Sequence, residues 1–143
     1  MKFSKLVLAL PLLVSQSVFA LTSDQPVACP SIKALSAVGV SDAEFVEEGS
    51  LWVTYRPSNS FETADKWTLV VMPIEAKTAS EAVSKANKSL PSLALFEGPS
   101  EEDGMWGCLY TNNDFSLMAI AVTPPLFGNW KALAHKFNVK ITH

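Results

Sequence analysis

The chain has 143 residues, 11 basic and 14 acidic side chains for a net charge of −3, and 48% hydrophobic content. That is length for one domain with a real core rather than several. An acidic balance makes nucleic acid a poor partner.

Lys2 and Lys5 precede an apolar run from Leu6 to Val14, and small and polar residues follow as far as Val18-Phe19-Ala20. This is the pattern of an export signal, with small residues third and first before the cut. Cleavage is expected after Ala20, so that residues 1–20 are a signal peptide and 21–143 a single α+β domain in the periplasm or secreted from the cell. An apolar core of about nine residues is far short of the roughly twenty that span a bilayer, so no integral membrane segment is expected after cleavage. A lipobox cysteine would directly follow the apolar region, whereas Leu21 to Ala28, with Asp24 and Pro26, separates it from Cys29. The cut removes two basic residues and no acid, which takes the net charge from −3 to −5 over 123 residues.

Cys29 and Cys108 are the only cysteines. An exported chain with an even count is normally oxidised, so the two are expected to pair. A closed loop of about 80 residues caps the stabilisation at roughly 4 to 5 kcal/mol in the chain-entropy model. A redox or metal thiol site would need a C-x-x-C motif, a second nearby thiol or a histidine cluster, and the sequence has none of these.

Pro30 suits a first helical turn, and Ile32, Leu35 and Ser36 share a face before Gly39 offers a stop, so the spacing predicts a short helix with Cys29 near its cap. "SDAEFVEEG" is ambiguous, because Ser41 and Glu44 form a potential capping box while Phe45 and Val46 suit a strand, the preferred reading. "LWVTYR", Leu51 to Arg56, alternates as a strand that Pro57 closes. "KWTLVVMPI", Lys66 to Ile74, is apolar on both faces, which points to burial on both sides, with Pro73 marking an edge or an end.

The clearest helix follows. Thr78 and Glu81 form a capping box, Ala79, Ala82, Val83, Ala86 and Leu90 recur at helical spacing, Glu81 and Lys85 pair outside, and Pro91 ends it. Strands are then expected over Leu93 to Glu97, Met105 to Thr111 and Phe115 to Thr123, the last two joined by an Asn112-Asn113-Asp114 turn. A third helix is expected from Asn129, with Trp130, Leu133, Ala134 and Phe137 on one face and Lys131, His135 and Lys136 elsewhere. The economical architecture is α+β: an antiparallel sheet of about five strands, two or three short helices on one face, and one disulfide clamping the first helix to the last hairpin.

Catalytic signals are thin. His135 and His143 are the only histidines, and there is no G-x-S-x-G context, phosphate loop, H-E-x-x-H or EF-hand pattern, so no enzyme is expected. Glu97, Glu101, Glu102 and Asp103 are best read as a solvated turn in a Gly/Pro/Ser loop, and the Asn87-Lys88-Ser89 sequon lies inside a helix pattern. Trp52, Trp67, Trp106 and Trp130 suit a pocket for a flat apolar ligand, although for any one of them core packing is the better reading. Trp52 with Arg56, and Trp106 with Tyr110, share strand faces, of which one can be covered by helices and the other open.

The export signal, the "CPSIKAL" start with its partner cysteine in "MWGCLY", and the "LWVTYRPSN" and "KWTLVV" strands resemble a small family of exported proteins from Gram-negative bacteria that grow inside host cells, the hemin-binding protein family. The resemblance implies haem binding, or its promotion, in the periplasm or outside the cell, with haem a ligand rather than a required cofactor. Chemistry then ranks His135 first as an axial ligand, Tyr55 and Tyr110 next, each otherwise a core or pocket-rim aromatic, and His143 and the methionines Met72, Met105 and Met118 after them. Lys131 and Lys136 supply the cations that propionates need, in the one locally basic region. The alternative is an interaction module that binds an envelope or host protein through a sheet face or edge.

Overall fold

The computed structural model describes residues 28–126. The expected signal peptide (1–20) and the expected third helix from Asn129, with Trp130, Lys131, His135, Lys136 and also His143, lie outside the described residues.

The sequence "PSIKAL" opens helix α1, Ile32–Val38. Its cap is Ser31, whose side-chain oxygen accepts the Ala34 N–H at 3.0 Å, so Pro30 lies just outside the helix rather than in its first turn. The exit is fixed twice. Gly39 at φ 72° donates its N–H to the Leu35 carbonyl, and the Arg56 guanidinium donates to the carbonyls of Val38 and Gly39. A cation on the last carbonyls complements the negative end of the helix.

Strand β1, Asp42–Val46, comes from the ambiguous segment. Strand β2, Leu51–Asn59, runs through Pro57 instead of stopping there. A register shift against β3 between Arg56 and Asn59 absorbs the proline, which cannot donate to a ladder. Strand β3, Trp67–Ile74, is buried on both faces from Trp67 to Met72, as its unbroken apolar run requires, and Pro73 sits near its end. Helix α2, Ala79–Ser89, is capped by Thr78, which accepts the Glu81 N–H at 3.1 Å. Glu81 in turn accepts from Lys77 N–H at 3.2 Å and pairs with Lys85 at 3.3 Å. Those bonds hold its carboxyl below the usual value, the backbone one foremost. Strands β4 (Ala94–Glu102), β5 (Met105–Thr111) and β6 (Met118–Thr123) complete the described chain.

All pairings are antiparallel and the sheet order is β1-β2-β3-β6-β5-β4. The sheet thus has six described strands against the about five expected, and the ambiguous segment is a strand, its preferred reading. Two meanders, each preceded by a helix, meet along β3 and β6. The element order α-β-β-β occurs twice although the sequence shows no repeat.

The two sheet faces carry separate cores. On one, Leu69, Val71, Ala119, Ala121 and Tyr110 pack with Ala34 and Leu35 of α1 and Ala82 and Ala86 of α2. Alanines on α2 let its backbone come close to the sheet. On the other, Val46, Leu51, Val53, Val70, Met72, Ile120 and Val122 form a second cluster that contains no residue of either helix. Among the described residues no helix is long and apolar enough to cross a membrane.

Cys29 and Cys108 are bonded, with Cα atoms 5.9 Å apart and a sequence separation of 79. The bond ties the entry to α1 onto the middle of β5, as expected.

Candidate binding surface

Among the described strands β4 is an edge of the sheet: it pairs with β5 alone, from Ala94 opposite Thr111 to Glu102 opposite Met105. Two register shifts, between Leu95 and Glu97 and between Glu97 and Ser100, bend it. At the second, Gly98 has φ +129°, and a Cβ there would stand 2.7 Å from the Gly107 carbonyl and 3.1 Å from the Cys29 sulfur. Only glycine lets the edge strand lie this close over the disulfide. The stretch read as an acidic loop is therefore strand as far as Glu102, with Asp103 and Gly104 making the turn.

Leu95 and Phe96 stand 50% and 57% exposed on this edge, and Phe115 from the β5–β6 connection is 51% exposed. The rings of Phe96 and Phe115 meet edge to face at 5.1 Å and 87°. Phe115 has φ +59°, a conformation that a bulky side chain rarely adopts and that costs of order 1–3 kcal/mol. The turn holds it there. Asn112 accepts Leu117 N–H at 3.2 Å and donates to Ser116 Oγ at 2.8 Å, and Asp114 accepts Ser116 N–H at 3.1 Å; the Ser116 side chain first, and this N–H second, keep the Asp114 carboxyl below its usual value. Burial of the ring does not compensate the strain, since half of it faces solvent. Glu97, Glu101 and Glu102 are exposed on the same strand and make its surroundings negative.

The opposite edge is shorter and more self-contained. On β1 the exposed Phe45 ring packs on Trp52 at 5.2 Å, and Trp52 donates its indole N–H to the Ala76 carbonyl at 2.9 Å.

The residues singled out in the sequence fall elsewhere. Tyr110 is 1% exposed and its hydroxyl donates to the Pro30 carbonyl, 80 positions away, so of its two readings the packed one describes it. Burial pushes its phenol well above the ordinary value. Tyr55 is half-buried on the other face, against the cluster around Val53 and Val70. Met72 is buried in that cluster, while Met105 is half-buried beside it. The two aromatic pairs share one face rather than opposite ones: register places Trp52 with Arg56, and Trp106 with Tyr110, on the side that carries the helices. Trp67 is fully buried there, donating to Thr63 Oγ1 at 2.8 Å. Trp52 and Trp67 therefore do not line an open face.

Among the described residues are shallow clefts of about 360 Å³ beside Cys29, Phe61 and Glu62, and of about 400 Å³ between Asp42, Ser80 and Val83. Neither holds the exposed aromatic pair.

Leu95, Phe96 and Phe115 were missed in the sequence, although Leu95 and Phe96 are adjacent. In a strand with side chains on alternate faces, two neighbouring large apolar residues put one of them outside the main core.

These features define a small, disulfide-stapled α+β domain with an aromatic sheet edge. A family model described as "Domain of unknown function (DUF4949)" matches residues 28–125, and the chain belongs to that family. The matched span holds both cysteines, both described α-helices and all six described strands. No curated protein and no solved structure matches the chain.

Proposed function

We propose that this is an exported, non-catalytic binding protein whose working surface is the β4 edge with the Phe96–Phe115 pair, and whose partner is an extended segment of an envelope or host protein. The observation that carries this reading is Phe115, held at φ +59° with its ring half exposed against Phe96. Strain kept at a position that contributes little to the core is accounted for by a partner that uses it. Aromatic anchors at the centre of a patch are the usual source of binding energy between proteins.

The edge also suits strand addition. On the side away from β5, β4 pairs with no described strand, and its two bulges leave regular register over Ala94–Leu95 and Ser100–Glu102, so an added strand would be short. With Glu97, Glu101 and Glu102 downstream, the complementary segment alternates apolar residues and carries Lys or Arg at one end.

The test is selection from a random twelve-residue displayed peptide library on the disulfide-intact protein secreted by an exporting host. Enriched peptides should be apolar and basic, and Phe96→Glu or Phe115→Glu should weaken them at least about tenfold, roughly 1.4 kcal/mol, without lowering the melting temperature. Peptides that bind these variants as well as wild type contradict the proposal. Hemin is titrated in parallel at the Soret band against wild type, His135→Ala and Tyr55→Phe. A one-to-one endpoint abolished by one substitution assigns the haem function that the resemblance implies in place of this one.

A further inference from the structure

The Cys29–Cys108 bond presents its two ends unequally. Cys108 is 1% exposed in the middle of β5. Cys29 is half-buried and lines the cleft of about 360 Å³ together with Ser31, Phe61, Glu62 and Asp65. A molecule that enters this cleft from solvent therefore meets Cys29 and not Cys108. In thiol–disulfide exchange a thiolate attacks one sulfur and expels the other, and access selects which sulfur is attacked. The cleft also carries charge of one sign: Glu62 and Asp65 line it, whereas Lys33 and Lys66, close by in sequence, do not.

We propose that this bond is a site of thiol–disulfide exchange, opened at Cys29 by an aminothiol that enters the cleft, and that opening it loosens β4. The thiolate attacks Cys29 Sγ and forms a mixed disulfide there as the bond to Cys108 breaks. Cys108 leaves as a thiolate and takes a proton from water. A second thiolate then attacks the reagent's own sulfur in the mixed disulfide, which releases Cys29 and the oxidised reagent. Two electrons thus pass from two thiols to the protein's bond. Glu62 and Asp65 select the reagent: an ammonium group offsets the charge of its thiolate beside them, whereas a sulfonate or carboxylate adds to the repulsion.

The consequence for β4 follows from Gly98. Its backbone lies so close over the bond that a Cβ would stand 3.1 Å from Cys29 Sγ and 2.9 Å from Cys108 Cα. Gly98 also falls between Glu97 and Ser100, where the register against β5 shifts. That stretch has no regular ladder to hold it once the sulfur beneath it is released. The Tyr110 hydroxyl still holds the Pro30 carbonyl, so Cys29 stays near its partner and the exchange is reversible. Control of peptide binding by this step rests on the reading of the β4 edge as the working surface; the exchange itself does not.

The test treats the disulfide-intact protein with cysteamine or with mercaptoethanesulfonate at low salt, caps free thiols with N-ethylmaleimide and maps the adducts by mass spectrometry. The mixed disulfide is expected on Cys29 and the maleimide on Cys108. Compared with the same reagents acting on the urea-unfolded chain, folding should favour cysteamine over the sulfonate by about fivefold or more. Glu62→Gln with Asp65→Asn should remove that preference, while Glu48→Gln, outside the cleft, should keep it. Amide exchange at Gly98 and Ser100 should rise on opening, which reads β4 without any peptide. The proposal is overturned by a bond that opens only on unfolding, by adducts shared evenly between the cysteines, or by a preference no greater than in the unfolded chain. A preference indifferent to the two carboxyl changes, or unchanged exchange at Gly98 and Ser100, overturns it as well.

Discussion

Asn87 holds the backbone of Val40 by both ends of its amide, accepting the N–H at 2.8 Å and donating to the carbonyl at 3.1 Å. This fastens α2 to the link between α1 and β1, and it explains Gly39, where a Cβ would stand 2.3 Å from Asn87 Oδ1 at φ +72°. Asn87→Ala strips two partly buried backbone groups of their partner and is expected to cost about 1–3 kcal/mol in a urea melt. The sequon at this position gave no hint of the clamp, because the partner lies 47 positions away. Tyr110 is similar, its strand position legible and its bond to Pro30 not. Its raised pKa sets a sign for alkaline stability: folded and unfolded chains are both neutral there below pH 10.0, the ordinary value, and above it only the unfolded chain ionises. Stability should fall above pH 10 by about 1.4 kcal/mol per pH unit from this group. Denaturant melts between pH 8 and 11.5 should show that slope in wild type and its loss in Tyr110→Phe, which starts from a lower plateau for want of the Pro30 bond.

At the scale of elements, the disulfide joins the entry of a seven-residue helix to a central strand. Such a helix is too short to persist alone, so its position depends on the bond, on Arg56 and on Tyr110. Replacing both cysteines by serine is expected to cost about 2–4 kcal/mol and to raise hydrogen exchange first in α1 and then along β5; uniform exchange across the sheet would contradict that order. The elements with strong local signals, α2 with its Thr78 box, β3 with its apolar run and β5, were legible. β2 beyond Pro57 and β4 beyond Gly98-Pro99 were not. Proline and glycine read as stops in a sequence, whereas bulges paid for by a neighbouring strand accommodate both.

For the whole molecule, two α-β-β-β units share one sheet, with both described helices on one side of it. This leaves β1 and β4 as the two edges, and they are treated differently. β1 is five residues long with Phe45 packed on Trp52, while β4 is nine residues long and exposes Leu95 and Phe96 next to Phe115. Composition and periodicity were enough for the α+β class and the disulfide. They could not show which strands end the described sheet, because strand order is set by long-range pairing, and the proposed working surface depends on that order. The tryptophans drew attention by their number, yet Trp52 and Trp67 serve the helix-covered core. The exposed aromatics are phenylalanines whose meaning depends on topology.

The most direct measurement is an amide and methyl NMR titration of the disulfide-intact protein with the strongest library-selected peptide. The account expects saturable shifts at Ala94–Glu97 and in the Phe96 and Phe115 rings, with the Phe45 edge silent. Shifts centred on Phe45 and Trp52, or on either cleft, would contradict it.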